Sequence, residues 1–178
     1  MCIYLQQNKK GEIKMKQISV MNRSAAHKYS FKPHEEKTAI ISITDVNSHS
    51  VNFRNNNKNN IIAVLNVFFD DVLGNEVNCM NENDAERIAE FAKNVVDKVD
   101  KIIVHCEAGV SRSAGVAAAL MKYFNGDDMP IFENPQYCPN MYCYRMVLGA
   151  LMMEVNEEEI KEKENINIKV WKDFHGLE

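Results

Sequence analysis

His105-Cys106-Glu107-Ala108-Gly109-Val110-Ser111-Arg112-Ser113 follows the apolar run Ile102-Ile103-Val104 and precedes Ala114-Gly115-Val116-Ala117-Ala118-Ala119-Leu120. The order reads as a strand, a tight loop and the start of a helix. The five residues between Cys106 and Arg112 let the loop curl into a bowl whose N–H groups point inward at the mouth of the helix. Such a bowl suits a phosphate-sized dianion, because orphan N–H groups and the helix dipole both favour negative charge there.

The same placement changes the chemistry of the sulfur. Thiolates are stabilised at helix N-termini and beside arginine, so Cys106 is expected to be ionised at neutral pH. Arg112 cannot lose its proton, and its planar fork matches two phosphoryl oxygens. Ser113 could donate a hydrogen bond to the sulfur as it leaves a thiophosphate. Glu107, Ala108, Val110 and Ser111 would contribute mainly backbone N–H groups, and Gly109 permits a bend that a side chain would obstruct. The Glu107 carboxylate repels phosphate unless it turns outward and pairs with a cation; the simpler reading is a solvated rim residue. His105 and Cys106 are neighbours on an extended chain and point to opposite faces, which argues against a Cys–His couple. The implied reaction is in-line attack of sulfur on the phosphorus of a monoester, followed by hydrolysis of the covalent intermediate.

His-Cys-x-x-Gly-x-x-Arg-Ser resembles the signature of the cysteine-based protein tyrosine phosphatases, and the size of the chain resembles the compact dual-specificity branch. That resemblance implies a loop-shaping role for His105 and requires a general acid upstream. Ile61-Ile62-Ala63-Val64-Leu65-Asn66-Val67-Phe68-Phe69 reads as a strand running into Asp70-Asp71 and the loop Val72-Leu73-Gly74-Asn75-Glu76. Acids at a strand end before a Gly/Asn loop suit a movable catalytic flap, although an Asp pair there can simply start a turn. By resemblance to the dual-specificity families the acid is Asp71, with Asp70 as the alternative. A further segment, Tyr137-Cys138-Pro139-Asn140-Met141-Tyr142-Cys143-Tyr144-Arg145, resembles the Pro-Asn-x-x-aromatic helix start of the same families. It departs from the pattern at Cys143, where an aromatic is usual. Asn140 reads as an N-cap, and the resemblance implies that it braces the catalytic loop.

The chain has 178 residues, 46% hydrophobic and 26% charged, enough to bury one core without disulfides or metals. A net charge of -4 argues against a broad nucleic-acid or acidic-membrane surface. The five cysteines, Cys2, Cys79, Cys106, Cys138 and Cys143, are scattered without C-x-x-C spacing, which suits a reducing cytoplasm. No apolar run approaches the roughly 18–20 residues of a membrane span, and the N-terminus is too polar for a secretory h-region.

Along the chain, residues 1–15 read as a flexible N-terminal extension, with Met15 as a candidate alternative start. Strands are expected at Ile18–Val20, Thr38–Thr44 (ending at Asp45), 61–69 and 101–105. A helical turn or two is expected over Ser24–Tyr29 behind a cap at Asn22. The Asn-rich stretch 52–60 reads as a solvated loop. A capping-box-like start at Asn83 introduces a helix with Ile88, Phe91, Ala92, Val95, Val96 and Val99 on one face. The catalytic helix spans 111–124, closed by Asn125-Gly126, and Pro130 to Pro139 is a connection. A helix from Asn140 is expected to reach the charged cluster Glu154–Glu164, with Ile166, Ile168 and Val170 then alternating as a short strand or docked tail.

The expected fold is α/β: a mostly parallel central sheet flanked by helices, with catalysis at its C-terminal edge. Residues 16–155 form the catalytic domain and 156–178 a charged helix end and C-terminal tail. The implied function is a phosphatase hydrolysing phosphotyrosine, and phosphoserine or phosphothreonine, in proteins. No cofactor or metal is required, and a phosphorylated protein or peptide is the partner of a cytoplasmic monomer without nucleic acid or membrane. The alternatives are a non-catalytic phosphate-binding module and a phosphatase for phosphoinositides or other small esters. An arsenate reductase or low-molecular-weight phosphatase fits worse, because there the acid follows the loop.

Overall fold

Continuous apolar runs such as Thr38–Thr44, buried at every position, form strands that need cover on both faces. The computed structural model describes residues 15–53, 60–74 and 76–177. All but Met15 of the expected N-terminal extension, and residues 54–59 of the Asn-rich loop, lie outside them. The elements run β1 (Gln17–Asn22), α1 (Arg23–Phe31), β2 (Thr38–Thr44), β3 (Ile61–Phe68), α2 (Glu82–Val95), β4 (Lys101–Cys106), α3 (Arg112–Asn125), α4 (Met129–Phe132), α5 (Met141–Ala150) and α6 (Glu157–His175). The four strands form one sheet in the order β1-β4-β2-β3, and every pairing is parallel. The expected parallel α/β sheet is thus present, and among the described residues it is parallel throughout.

The two faces are unequally covered. Ile102, Val104 and Cys106 of β4 join the larger cluster with residues of α2, α3 and α5, whereas Ile103 joins Ile40, Ile61, Tyr29 and Phe53 in the smaller one. This alternation is the pleat of a strand buried on both sides. Since all strands point the same way, their C-terminal ends lie along one edge. That edge receives Asn22 and Arg23 from β1, Asp45 from β2, Asp70 and Asp71 from beyond β3, and Cys106 from β4.

Three local expectations need correction. The cap of α2 is Asn81, whose side chain accepts from Asp84 N while Asp84 returns a bond to Asn81 N; this capping box begins two residues before the expected Asn83. Within the expected connection, 129–132 close one helical turn with proline in its first positions. Finally, α5 stops at Ala150, and the alternating Ile166, Ile168 and Val170 belong to a helix, α6. Asn156 caps α6 through Glu158 N and Glu159 N, and three glutamates fill its first turn, where the dipole favours them. Its buried residues, Ile160, Lys163 and Asn167, recur at helical spacing. Among the described residues no helix is long and apolar enough to cross a membrane.

Candidate active site

Cys106 ends β4 only 2% exposed. Its Sγ lies 3.1 Å from Ser113 Oγ and accepts from Gly109 N–H at 3.3 Å. Gly109 has φ +70°, and a Cβ there would stand 2.5 Å from Asn22 N and 2.6 Å from Met21 C. Glycine is thus required twice, by the backbone conformation and by the close approach of β1. At the mouth of α3 the N-cap Ser111 makes no side-chain cap; its hydroxyl is instead donated to Asp71 Oδ1 at 2.8 Å. The first-turn amides of α3 are left without a side-chain cap, an arrangement that favours an anion.

Arg112 is 4% exposed. Its Nη1 donates to Phe69 O at 2.7 Å and pairs with Asp45 Oδ1 at 2.5 Å. Its Nε is buried and has no hydrogen-bond partner among the described residues, an expensive state for a donor unless an acceptor arrives. Through Phe69 the guanidinium also holds the stem of the acid loop.

The two aspartates are sharply distinguished by their surroundings. Asp70 accepts from Val46 N at 3.0 Å and from Asn78 Nδ2 at 3.1 Å, and its own N–H reaches Asn78 O; both its oxygens brace neighbouring loops. Asp71 faces the catalytic loop: its Oδ1 takes the Ser111 hydroxyl and also Asn140 Nδ2 at 3.0 Å. Among the described residues its Oδ2 has no partner. Asn140 is the junction of the site. Its Oδ1 caps Cys143 N, its Nδ2 also reaches Val72 O, and its backbone N–H donates to Ser111 O. Gly115 lets α3 approach this point, since a Cβ there would meet Asn140 O at 2.4 Å. Tyr142 extends the docking of the acid loop: its ring covers Gly74 and its hydroxyl donates to Met80 O.

His105 points away from Cys106. Its Nε2 lies 2.8 Å from Ser42 Oγ, its Nδ1 3.4 Å from Cys106 O, and its ring meets Phe53 edge-on. Burial pushes His105 down from 6.5 to about 4, so the imidazole is neutral. The unfolded chain therefore takes up a proton near pH 6.5 that the folded protein resists until about 4. Stability is full above that window and falls with pH through it, by about 3 kcal/mol. Urea midpoints measured from pH 7 to 4 should show this decline, and His105→Gln should remove that part of it.

Glu107 turns outward and pairs with Arg23 at 3.4 Å. Ala108 and Val110 complete the loop, and Val110 O accepts from Cys138 N. Cys106, Arg112, Ser113, Asp71 and Asn140 thus converge on the loop, while Asp70 and His105 adjoin it and are engaged elsewhere. Sequence reasoning missed Asp45, Ser42 and Tyr142. A polar signal existed for two of them: an acid directly after a wholly buried strand, and a serine set between isoleucines within Thr-Ala-Ile-Ile-Ser-Ile-Thr. Among the described residues no group of three or more His, Cys, Asp or Glu could hold a metal.

The chain matches the family model of the dual specificity phosphatase catalytic domain over residues 3–130. No curated protein matches it significantly. The family match takes in the Asp70-Asp71 loop, the Cys106–Arg112 loop and all of α3, and ends before Asn140. With that match over more than half its length, and with the parallel sheet and loop that such a domain requires, the chain belongs to the dual specificity phosphatase family and carries a phosphatase catalytic domain.

Proposed function

We propose that the protein hydrolyses phosphotyrosine, and phosphoserine or phosphothreonine, in phosphorylated proteins through a cysteinyl-phosphate at Cys106. The phosphoryl group is bound by the N–H groups of residues 107–111 and by Arg112, whose unpaired Nε gains an acceptor. Asp45 and Phe69 O hold the other end of that guanidinium, so the fork is positioned before substrate arrives. The Cys106 thiolate attacks phosphorus in line with the ester oxygen. The P–O bond breaks, its electron pair goes to the leaving oxygen, and Asp71 supplies the proton. Water then attacks the thiophosphate, giving its proton to Asp71, and the S–P bond breaks with Ser113 donating to the departing sulfur.

The observation that carries this reading is the connection from nucleophile to acid within one loop: Gly109 N–H and Ser113 on Sγ, Ser111 on Asp71. Both hydrogen bonds to Asp71 fall on Oδ1, which leaves Oδ2 to carry the transferred proton. His105 shapes the loop from behind, Asn140 supports both loops, and no metal or cofactor takes part. The catalytic unit spans 16–155, with 156–178 as a supporting C-terminal segment, and it acts as a cytoplasmic monomer without nucleic acid or membrane.

Hydrolysis of p-nitrophenyl phosphate in EDTA tests the activity, and two variants test the acid. Asp71→Asn should lower kcat by roughly 10²–10⁴-fold and abolish the fall of kcat/KM on the alkaline side, which reports loss of the acid's proton. Asp70→Asn should retain that limb. The reverse pattern would move the acid to Asp70.

A further inference from the structure

A cleft of about 580 Å³ opens beside the Cys106–Arg112 loop, lined by Glu107 and Ala108 of that loop, by Arg23, Ser24 and His27 of α1, and by Asn52. Its position relative to Cys106 is fixed by the sheet. Asn22 at the end of β1 is in register with Cys106, and Arg23 N donates to Glu107 O at 3.1 Å, so the first turn of α1 is bonded to the loop that would receive phosphate. Arg23 and His27 stand four residues apart on the helix and share one face.

The Arg23 guanidinium is only partly engaged. One Nη2 hydrogen goes to His49 O at 2.5 Å, and Nη1 meets Glu107 Oε2 at 3.4 Å. The Glu107 side chain is 59% exposed, so this long pair is weakly held and an incoming anion can take its place. The planar fork then offers its remaining donors to a carboxylate or phosphate. Glu107 keeps the guanidinium placed when the cleft is empty and swings to solvent when it is filled. A volume of this size holds a side chain and its backbone.

Resting on the phosphatase reading above, we propose that this cleft is a substrate subsite for an anionic residue flanking the phosphorylated one, with Arg23 as its specificity-determining contact. The preferred substrates are phosphopeptides with a carboxylate or second phosphate next to the scissile group. A basic neighbour would displace Arg23 to no gain.

The test is a phosphotyrosine peptide series with alanine, glutamate, phosphoserine or lysine placed on either side of the phosphotyrosine, hydrolysed by wild type, Arg23→Ala and Arg23→Glu. Wild type should favour glutamate- or phosphoserine-flanked peptides over alanine-flanked ones by roughly tenfold in kcat/KM; the two anionic arms separate carboxylate from phosphate recognition. Arg23→Ala should remove the preference and Arg23→Glu should turn it toward lysine, while p-nitrophenyl phosphate is hydrolysed at wild-type rate. Equal losses on every substrate, a preference untouched in both variants, or selection of lysine by wild type would each overturn the proposal. Binding of the same peptides to Cys106→Ser protein reads the subsite without turnover. Arg23-dependent selectivity in binding, with no phosphate released by wild type, would uphold the subsite and overturn the catalytic reading.

Discussion

Cys106→Ser should release phosphate from p-nitrophenyl phosphate at least roughly 10⁴-fold more slowly than wild type, with an almost unchanged melting temperature. The replacement is nearly isosteric at a site only 2% exposed, so packing survives. The chemistry does not survive, because a hydroxyl at this position remains protonated and finds no base to activate it. The adjacent His105 is directed to Ser42 on the other face of the sheet, and its imidazole is neutral and buried. Ser113 is itself a hydroxyl. A serine enzyme cannot be improvised from this geometry, whereas the proposed attack by sulfur calls on no neighbouring base. Retention of wild-type turnover in Cys106→Ser would exclude attack by this residue.

The second large effect is on stability. Lys163→Met should destabilise the fold by about 3–5 kcal/mol, read from the urea midpoint. Lys163 is 9% and Asp128 4% exposed at the side chain, and Nζ donates to both Asp128 oxygens at 2.8 Å. It also reaches Glu159 at 2.6 Å, and Tyr144 OH donates to Asp128 at 2.5 Å. Lys122 joins from α3 through Glu159. Burial works to lower Lys163, but its hydrogen bonds to Asp128 and Glu159 outweigh burial and hold it above its usual value. Burial, then the Asp128 bond, pushes Tyr144 up. The network thus ties α3, the turn before α4, α5 and α6 together around one buried carboxylate. Removing only the lysine leaves that charge buried with a phenol, so the cost is the uncompensated charge rather than the lost pair. Adding Asp128→Asn to Lys163→Met removes the charge and keeps an acceptor for Tyr144, and should restore most of the loss. An equal deficit in the double variant would show that packing, not charge, sets the effect.

The strands were legible because buried parallel strands are written as apolar runs, as 38–44 and 102–104 are, and because 61–68 keeps such a run although it is a half-buried edge strand. Their order was not, since inserting β4 between β1 and β2 depends on crossovers that no local pattern encodes. The 166–170 segment misled because Ile166, Ile168 and Val170 alternate, while the decisive signals were the cap at Asn156 and the spacing of Ile160, Lys163 and Asn167. At the site, the residues carried by the loop itself were readable as a block, because adjacent positions must share one bend. The partners of Asp45, Ser42 and Arg23 were opaque for the opposite reason, even where the residue itself stood out: each meets its partner only after distant strands align at the sheet edge. The distinction between Asp70 and Asp71 rested on the family resemblance alone, since adjacent residues at a strand end differ only in which loop each faces.

The central claim is that phosphorus is transiently bonded to one sulfur. Mass analysis of peptides from enzyme quenched in acid during turnover of p-nitrophenyl phosphate addresses it directly. The account predicts a phosphoryl increment on the peptide bearing Cys106, accumulating further in Asp71→Asn, whose thiophosphate lacks its base. Phosphate release at full rate with no adduct on Cys106, or with the adduct on another residue, would contradict it.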